Sequence, residues 1–201
     1  MNILITANTK KYFNTYIDFI DHYWLDYFEK KKINFKLVPN SNGLLKNILK
    51  TKIDLIILPG GNDISQSYKS AKIRLNIENK LIKVSLKHKI PVIGICRGMQ
   101  VINNFFGGKL KKVKGHMRTN HNLIFKKNFF SKKKFMVNSF HNYGITKKTI
   151  SKQFEIFAYD TNENIEMFKH KNYNIYGVMW HPEREKNYLN LDHIINKALK
   201  K

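Results

Sequence analysis

The chain has one cysteine, Cys96, among 201 residues. An internal disulfide is therefore excluded, and so is any zinc site built on several cysteines. No apolar run reaches 18 residues, so no membrane-spanning helix and no membrane partner are expected. Residues 1–7 carry neither a basic lead nor a long apolar core, so a secretory signal is not expected either. A cytoplasmic protein is the expectation. Acidic side chains are scarce as well: 14 Asp and Glu face 37 Lys and Arg, a formal charge of +23. Such a balance raises nucleic acid as a partner. Neither a basic-aromatic RNP pattern nor paired Cys/His spacing accompanies it, so nucleic acid is not the expected partner. Lysine, asparagine, isoleucine and phenylalanine are abundant together, as an AT-rich genome would write on any surface. Part of the charge is thus compositional, and the remainder is left to attract a polyanionic substrate.

What is present is a succession of short, continuously apolar runs. Residues 2–7, then Phe35, Leu37 and Val38, then 54–59, then 90–95 read as buried strands. Helical spacing separates them: Ile17, Ile20, Trp24, Tyr27 and Phe28 share one face, a short helix is expected around 44–49, and a long one over 73–88. Strands without alternation, interleaved with helices, mark a parallel sheet covered on both faces. The predicted fold class is α/β, a doubly wound mostly parallel sheet of the flavodoxin-like kind. In the second half, 122–126, 135–140, 154–159, 164–169 and 175–180 read as short strands and predict antiparallel additions at the sheet edge. Residues 187–199 predict a closing amphipathic helix. Neither a linker nor a repeat divides the chain, so one domain is expected over 1–201.

Cys96 lies at the corner of Gly94-Ile95-Cys96-Arg97-Gly98, which has the spacing of a nucleophile elbow with sulfur in place of oxygen. The flanking glycines let strand and helix meet sharply, and the helix N-terminus favours a thiolate. In an open parallel sheet, functional groups gather beyond the carboxyl ends of the strands. Two further loops qualify there, Pro59-Gly60-Gly61-Asn62-Asp63 and Trp180-His181-Pro182-Glu183. His181 stands at a strand end where Pro182 stops the ladder, with Glu183 two residues on to orient the ring. Cys96, His181 and Glu183 make a candidate nucleophile, base and orienter. A backbone N–H in the Gly60-Gly61 turn and that of Arg97 are candidate oxyanion donors, and Asp63 is expected to cap a short helix.

Four ordered segments, Leu58-Pro59-Gly60-Gly61-x-Asp63, Gly94-Ile95-Cys96-Arg97-Gly98-x-Gln100, Val137-Asn138-Ser139-Phe140-His141 and Trp180-His181-Pro182-Glu183, carry a resemblance to a known family. The chain resembles the class I glutamine amidotransferases, in particular their γ-glutamyl hydrolase branch, from Ile3 to about Tyr188. The resemblance implies Cys96 as nucleophile, His181 as base and Glu183 as third member. It implies that Arg97, Gln100 and the segment Asn138, Ser139, His141 and Asn142 hold the glutamyl amine, carboxylate and carbonyl. The chain also departs from the family's pattern in two places: Met179 stands where glutamine commonly precedes Trp-His-Pro-Glu, and Lys111-Lys112 replace the usual polar pair after Gly107-Gly108. Trp180 and Phe140 read as core or pocket wall.

The expected reaction is hydrolysis of a γ-glutamyl amide through a thioester, with a small-molecule γ-glutamyl substrate. Lysines over 109–114 and Arg118 follow the elbow helix closely enough to line one rim, which points to a nucleotide-linked or phosphoramidate leaving group. Three alternatives stay open: a hydrolase of the γ-glutamyl-γ-aminobutyrate type, a glutaminase component supplying ammonia to a partner synthase, and a nucleic-acid-binding protein with a decayed site. No cofactor is expected. The eight histidines show no ligand spacing, and His116 and His121 stand five apart without nearby cysteines, so no metal is expected.

Overall fold

A computed structural model describes residues 1–62, 64, 69–126, 134–185 and 190–200. The predicted cap Asp63, Lys132 and Lys133 of a lysine cluster, and the first three residues of the predicted closing helix lie outside these. In chain order the described elements begin with strands β1 (Asn2–Thr6), β2 (Asn8–Tyr12) and β3 (Thr15–Phe19), then helix α1 (His22–Lys30), β4 (Asn34–Val38) and α2 (Asn42–Ile48). β5 (Leu55–Leu58), α3 (Lys69–His88), β6 (Val92–Ile95) and α4 (Arg97–Phe105) follow. The second half contains β7 (Lys111–Lys112), β8 (Met117–Phe125), β9 (Lys134–Phe140), β10 (Tyr143–Gly144), β11 (Phe154–Tyr159), β12 (Ile165–His170), β13 (Ile175–Val178) and α5 (Leu191–Leu199).

Nine of these strands form one sheet in the order β4-β1-β5-β6-β13-β12-β11-β8-β9 among the described residues. From β4 to β13 neighbours run parallel, and from β13 to β9 antiparallel. Alternate residues of each parallel strand feed opposite cores, as strand geometry requires. Ile3, Ile5, Leu55 and Ile57 pack with Trp24 and Phe28 of α1 and with Leu191 and Ile194 of α5. Leu4, Ile56 and Leu58 pack instead with Leu45 of α2, Ile77 and Leu81 of α3, and Ile102 of α4. Helices therefore cover both faces, and the predicted doubly wound α/β class holds.

Two expectations need correction. Ile17 and Ile20 are not helical: Ile17 lies in β3, which pairs with β2 through a turn at Phe13, whose φ is +49°. Alternating Thr15, Ile17 and Phe19 suit a strand, and the helix starts only where Asp21 caps it by accepting from the Tyr23 N–H at 3.1 Å. β13 is not an antiparallel addition but the fifth parallel strand, running beside β6. The small pair β7–β10 carries no apolar pattern and was not legible. No helix among the described residues is long and apolar enough to cross a membrane.

A buried charge cluster ties three of these elements together. Glu78 of α3 accepts from Arg97 Nη1 at 2.7 and 2.6 Å, one contact to each carboxylate oxygen, and from Arg74 Nε at 2.9 Å. Arg74 continues to the carbonyls of Pro59 and Gly60 at 3.0 and 3.2 Å, and to Asn8 Oδ1 at 2.6 Å. All three charged side chains are buried. Burial by itself would raise the Glu78 pKa, but the two guanidinium groups outweigh it and hold the carboxyl below its ordinary value. A carboxyl so held contributes stability at pH above its unfolded pKa and loses it as pH falls through the folded one. Glu78→Gln leaves two buried cations under-compensated and is expected to cost about 3–5 kcal/mol, measured as a lowered urea midpoint at pH 7. An unchanged midpoint contradicts the account.

Candidate active site

The elbow is built by close packing. Cys96 follows the buried strand β6 and takes φ +50° and ψ −105°, an unfavourable backbone for a residue with a side chain. The hydrogen bond from its own N–H to the Val178 carbonyl, at 2.8 Å, helps to hold it there. A Cβ on Gly94 would come within 2.6 Å of the Gly98 carbonyl oxygen, and one on Gly98 would run into the Leu58 carbonyl, so neither position admits a side chain. Helix α4 starts directly after Cys96, and its first N–H groups have no partner within the helix. Those groups point partial positive charge at the thiol.

His181 arrives from β13, the neighbour of β6. Its Nδ1 lies 2.6 Å from Glu183 Oε1, and its other side meets the Cys96 thiol. Burial disfavours charge on this ring, yet the Glu183 carboxylate and a Cys96 thiolate overcome that and push its pKa up to about 10. At neutral pH the ring is therefore favoured as the imidazolium. Gly60 closes the third side: a Cβ there would stand 2.5 Å from His181 Cε1 and 3.4 Å from Cys96 Cβ. Gly61 has φ +123°, and a side chain there would strike Asn8 Oδ1.

Two cavities meet at this glycine pair. One, of about 120 Å³, is lined by Gly61, Asn62, Cys96, Gln100, Phe140, His141, Asn142 and Tyr143 among others. The other, of about 220 Å³, is lined by Phe19, Trp24, Gly60, His181 and Glu183. A larger groove of about 510 Å³ runs along α1 and α5 and reaches the Cys96, His181 and Glu183 cluster only at Glu183. Of the smaller two, Cys96 lines the first and His181 the second.

Residues 15–200 match the family Glutamine amidotransferase class-I. The chain belongs to the class-I glutamine amidotransferases. It is accordingly a hydrolytic enzyme of that family. A γ-glutamyl-CDP-amidate hydrolase of Campylobacter jejuni is 38% identical over 154 residues, covering 76% of this chain and 73% of that protein. A subunit of the glutamine-hydrolysing GMP synthase from Methanococcus maripaludis strain C5 is 32% identical over 150 residues, covering 74% of each. In three dimensions, a GMP synthase subunit from Thermoplasma acidophilum superposes with a TM-score of 0.75 over 99% of this chain and 92% of that one. At 22% identity this is likeness of fold.

For this amidotransferase the structure brings Cys96, His181, Glu183, Gly60 and Gly61 to one sheet edge, as expected. Gln100, His141 and Asn142 line the smaller cavity. Gln100 donates to the Tyr143 carbonyl at 2.9 Å, and His141 Nδ1 faces the same carbonyl at 3.0 Å. The side chains of three further predicted substrate contacts have partners within the protein. The Arg97 guanidinium pairs with the buried Glu78, while the residue also lines the smaller cavity. Asn138 holds the His181 peptide: its Oδ1 accepts from the His181 N–H at 2.9 Å, and its Nδ2 donates to the His181 carbonyl at 3.0 Å. Ser139 is buried and donates to the His116 carbonyl at 2.8 Å, away from the cavity. Trp180 is core, and Phe140 is pocket wall with its edge toward the His181 ring. Asn8, Arg74 and Glu78 were missed. The only signal was an arginine and a glutamate four apart on the apolar face of a helix.

The ion pair and the glycine contact each have a measurable consequence. Histidine side-chain NMR should show His181 titrating near pH 10, and Glu183→Gln or Cys96→Ala should lower that midpoint by more than one unit. A native midpoint near 6.5 contradicts the ion pair. Because the folded value is raised, the pair stabilises the protein fully below pH 6.5 and ceases to as pH climbs through about 10. Gly60→Ala should cut kcat by roughly a hundredfold through displacement of the His181 ring, while the circular dichroism spectrum stays native.

Proposed function

We propose that this enzyme hydrolyses γ-glutamyl amides, with Cys96 as nucleophile, His181 as general base and acid, and Glu183 as the group that orients and charges the ring. The observation that carries the reading is the contact of the strained Cys96 elbow with a His181 ring held by Glu183 at 2.6 Å. The Cys96 thiolate attacks the γ-carbonyl carbon and forms a C–S bond. Backbone N–H groups of the Gly60-Gly61 turn and of Arg97 receive the negative charge that develops on oxygen. The C–N bond then breaks as His181 gives its proton to the departing nitrogen, leaving a γ-glutamyl thioester. His181 next removes a proton from water, the hydroxide attacks the thioester, and glutamate departs with regeneration of the thiolate. The cavity containing Gln100, His141 and Asn142 receives the glutamyl head.

The specific substrate in this reading is γ-glutamyl-CDP-amidate, cleaved to glutamate and cytidine diphosphoramidate, a donor for decorating capsular polysaccharide. Two observations support it. The Campylobacter jejuni relative bears that activity in its name. The exposed Lys111 and Lys112 lie on β7, which pairs with β10, and Tyr143 of β10 lines the cavity, so cationic charge flanks the route a diphosphate would take. A second reading, a glutaminase component feeding ammonia to a synthase, is favoured by the relatives that are subunits of GMP synthase.

One panel separates the readings: glutamate release from γ-glutamyl-CDP-amidate, γ-glutamyl-aminobutyrate, a polyglutamate and glutamine, each with native protein and with Cys96→Ala. The expected result is a preference of at least tenfold for the nucleotide phosphoramidate, abolished in Cys96→Ala. A tenfold preference for glutamine would transfer the assignment to the glutaminase reading. Release that survives Cys96→Ala would remove the thiol mechanism.

A further inference from the structure

Behind the wall of the smaller cavity is a second cluster of chemically active side chains that the hydrolysis does not use. His116 precedes β8, His121 lies within it, and Glu166 comes from β12. One ligand atom from each lies within 4.8 Å of the other two. β11 ends at Tyr159, so the part of β8 before Ile124 has no β11 partner and can meet Glu166. Glu166 is fully buried; its carboxylate is in ion-pair range of His121, which contributes a hydrogen bond to the pair, and its oxygens have no closer donor among the described residues. Nδ1 of His121 and Nε2 of His141 are buried without a hydrogen-bond partner among the described residues.

These groups converge. His121 Nε2 stands 3.4 Å from Glu166 Oε2, and His141 Nε2 stands 3.7 Å from Glu166 Oε1. Two ligands held about 2.1 Å from one ion at a tetrahedral angle lie about 3.4 Å apart. The third nitrogen has its supporting group in place. His116 Nε2 sits 3.0 Å from Asp160 Oδ2, and its Nδ1 lies 3.4 Å from Ser139 Oγ, whose hydroxyl is given to the His116 carbonyl at 2.8 Å; donation from Nε2 to Asp160 would leave the Nδ1 lone pair for a metal. Asp160 is buried and also accepts from the Asn164 and Asn162 N–H groups, which fixes its carboxylate. A fully buried carboxylate whose imidazole neighbours stand at 3.4 and 3.7 Å is incompletely compensated, and a cation among these groups completes the compensation.

We propose that His116, His121 and Glu166 bind a divalent transition metal of the zinc class, with His141 at its margin and Asp160 as the orienting carboxylate. Two imidazoles and one carboxylate select zinc, cobalt or nickel over magnesium or calcium, which prefer all-oxygen sites. The ion joins β8 to β12 beneath His141, whose ring lies 4.8 Å from that of His116, and so braces the wall of the glutamyl cavity. His121, only partly buried, marks the side from which the metal enters. The spacing of His116 and His121 concealed the site because the carboxylate comes from a strand far along the chain.

The test is equilibrium dialysis of the full chain, stripped with chelator, against Zn²⁺ and separately Co²⁺, with metal content and visible absorption as readouts. One equivalent is expected in native protein and in Cys96→Ala. The Co²⁺ form should show ligand-field bands without thiolate charge transfer. His121→Ala and Glu166→Gln should lose the ion, and Asp160→Asn should bind roughly ten- to a hundredfold more weakly. Addition of Zn²⁺ should raise the Tm of native protein and leave that of Glu166→Gln unchanged. Circular dichroism identifies any variant that fails to fold, and the two ligand variants at different strands give independent readings. Stoichiometry well below one, retention of metal in both ligand variants, or loss of metal in Cys96→Ala would each overturn the site. None of these readouts depends on the hydrolysis assignment.

Discussion

The carboxylate of Glu78, held between Arg74 and Arg97, is the constraint on which the rest of the site depends. Through Arg97 it reaches the first residue of the helix that follows the nucleophile elbow. Through Arg74 it reaches the carbonyls of Pro59 and Gly60, which set the direction of the glycine turn. The two backbone segments proposed to receive an oxyanion are thus indexed to each other by one buried ionic cluster. Charges removed from water bring little net stability, but they fix geometry because few arrangements satisfy them. The strained Cys96 backbone is tolerable for the same reason: the packing around it allows no alternative.

Much of the site was legible because its parts sit at strand ends and announce themselves by residue type. An apolar run that breaks on Gly-x-Cys-x-Gly, and another that breaks on His-Pro-Glu, each carry a local backbone reason for their position. The parallel core was legible for a similar reason, since Ile and Leu runs without alternation belong to strands buried on both faces. The hairpin of β2 and β3 was not. Its residues are polar and aromatic, and Ile17 and Ile20 happen to continue the helical spacing of Trp24 and Phe28. Only the cap at Asp21 and the register with β2 decide against a helix.

The roles of Asn138, Ser139 and Arg97 show a different limit. Residue type and motif placed them near the site, and they are near it. Which way each side chain points is settled by partners far off in the chain: Glu78 for Arg97, the His181 peptide for Asn138, and the His116 carbonyl for Ser139. Asn138 in particular links the antiparallel half of the sheet to the proposed catalytic histidine, with Glu185 holding its amide in turn. The antiparallel strands are therefore more than an edge addition, because they help to hold the His181 backbone in place.

The central claim is that Cys96 is a nucleophile preset for a γ-glutamyl group. Its most direct test is peptide-resolved mass spectrometry after exposure to an electrophilic glutamine analogue such as a diazoketone. The account predicts one adduct per chain, on Cys96, formed rapidly at neutral pH and slowed when the Glu78 cluster is broken. Failure of the folded protein to react at Cys96, or reaction there no faster than with the unfolded chain, would contradict it.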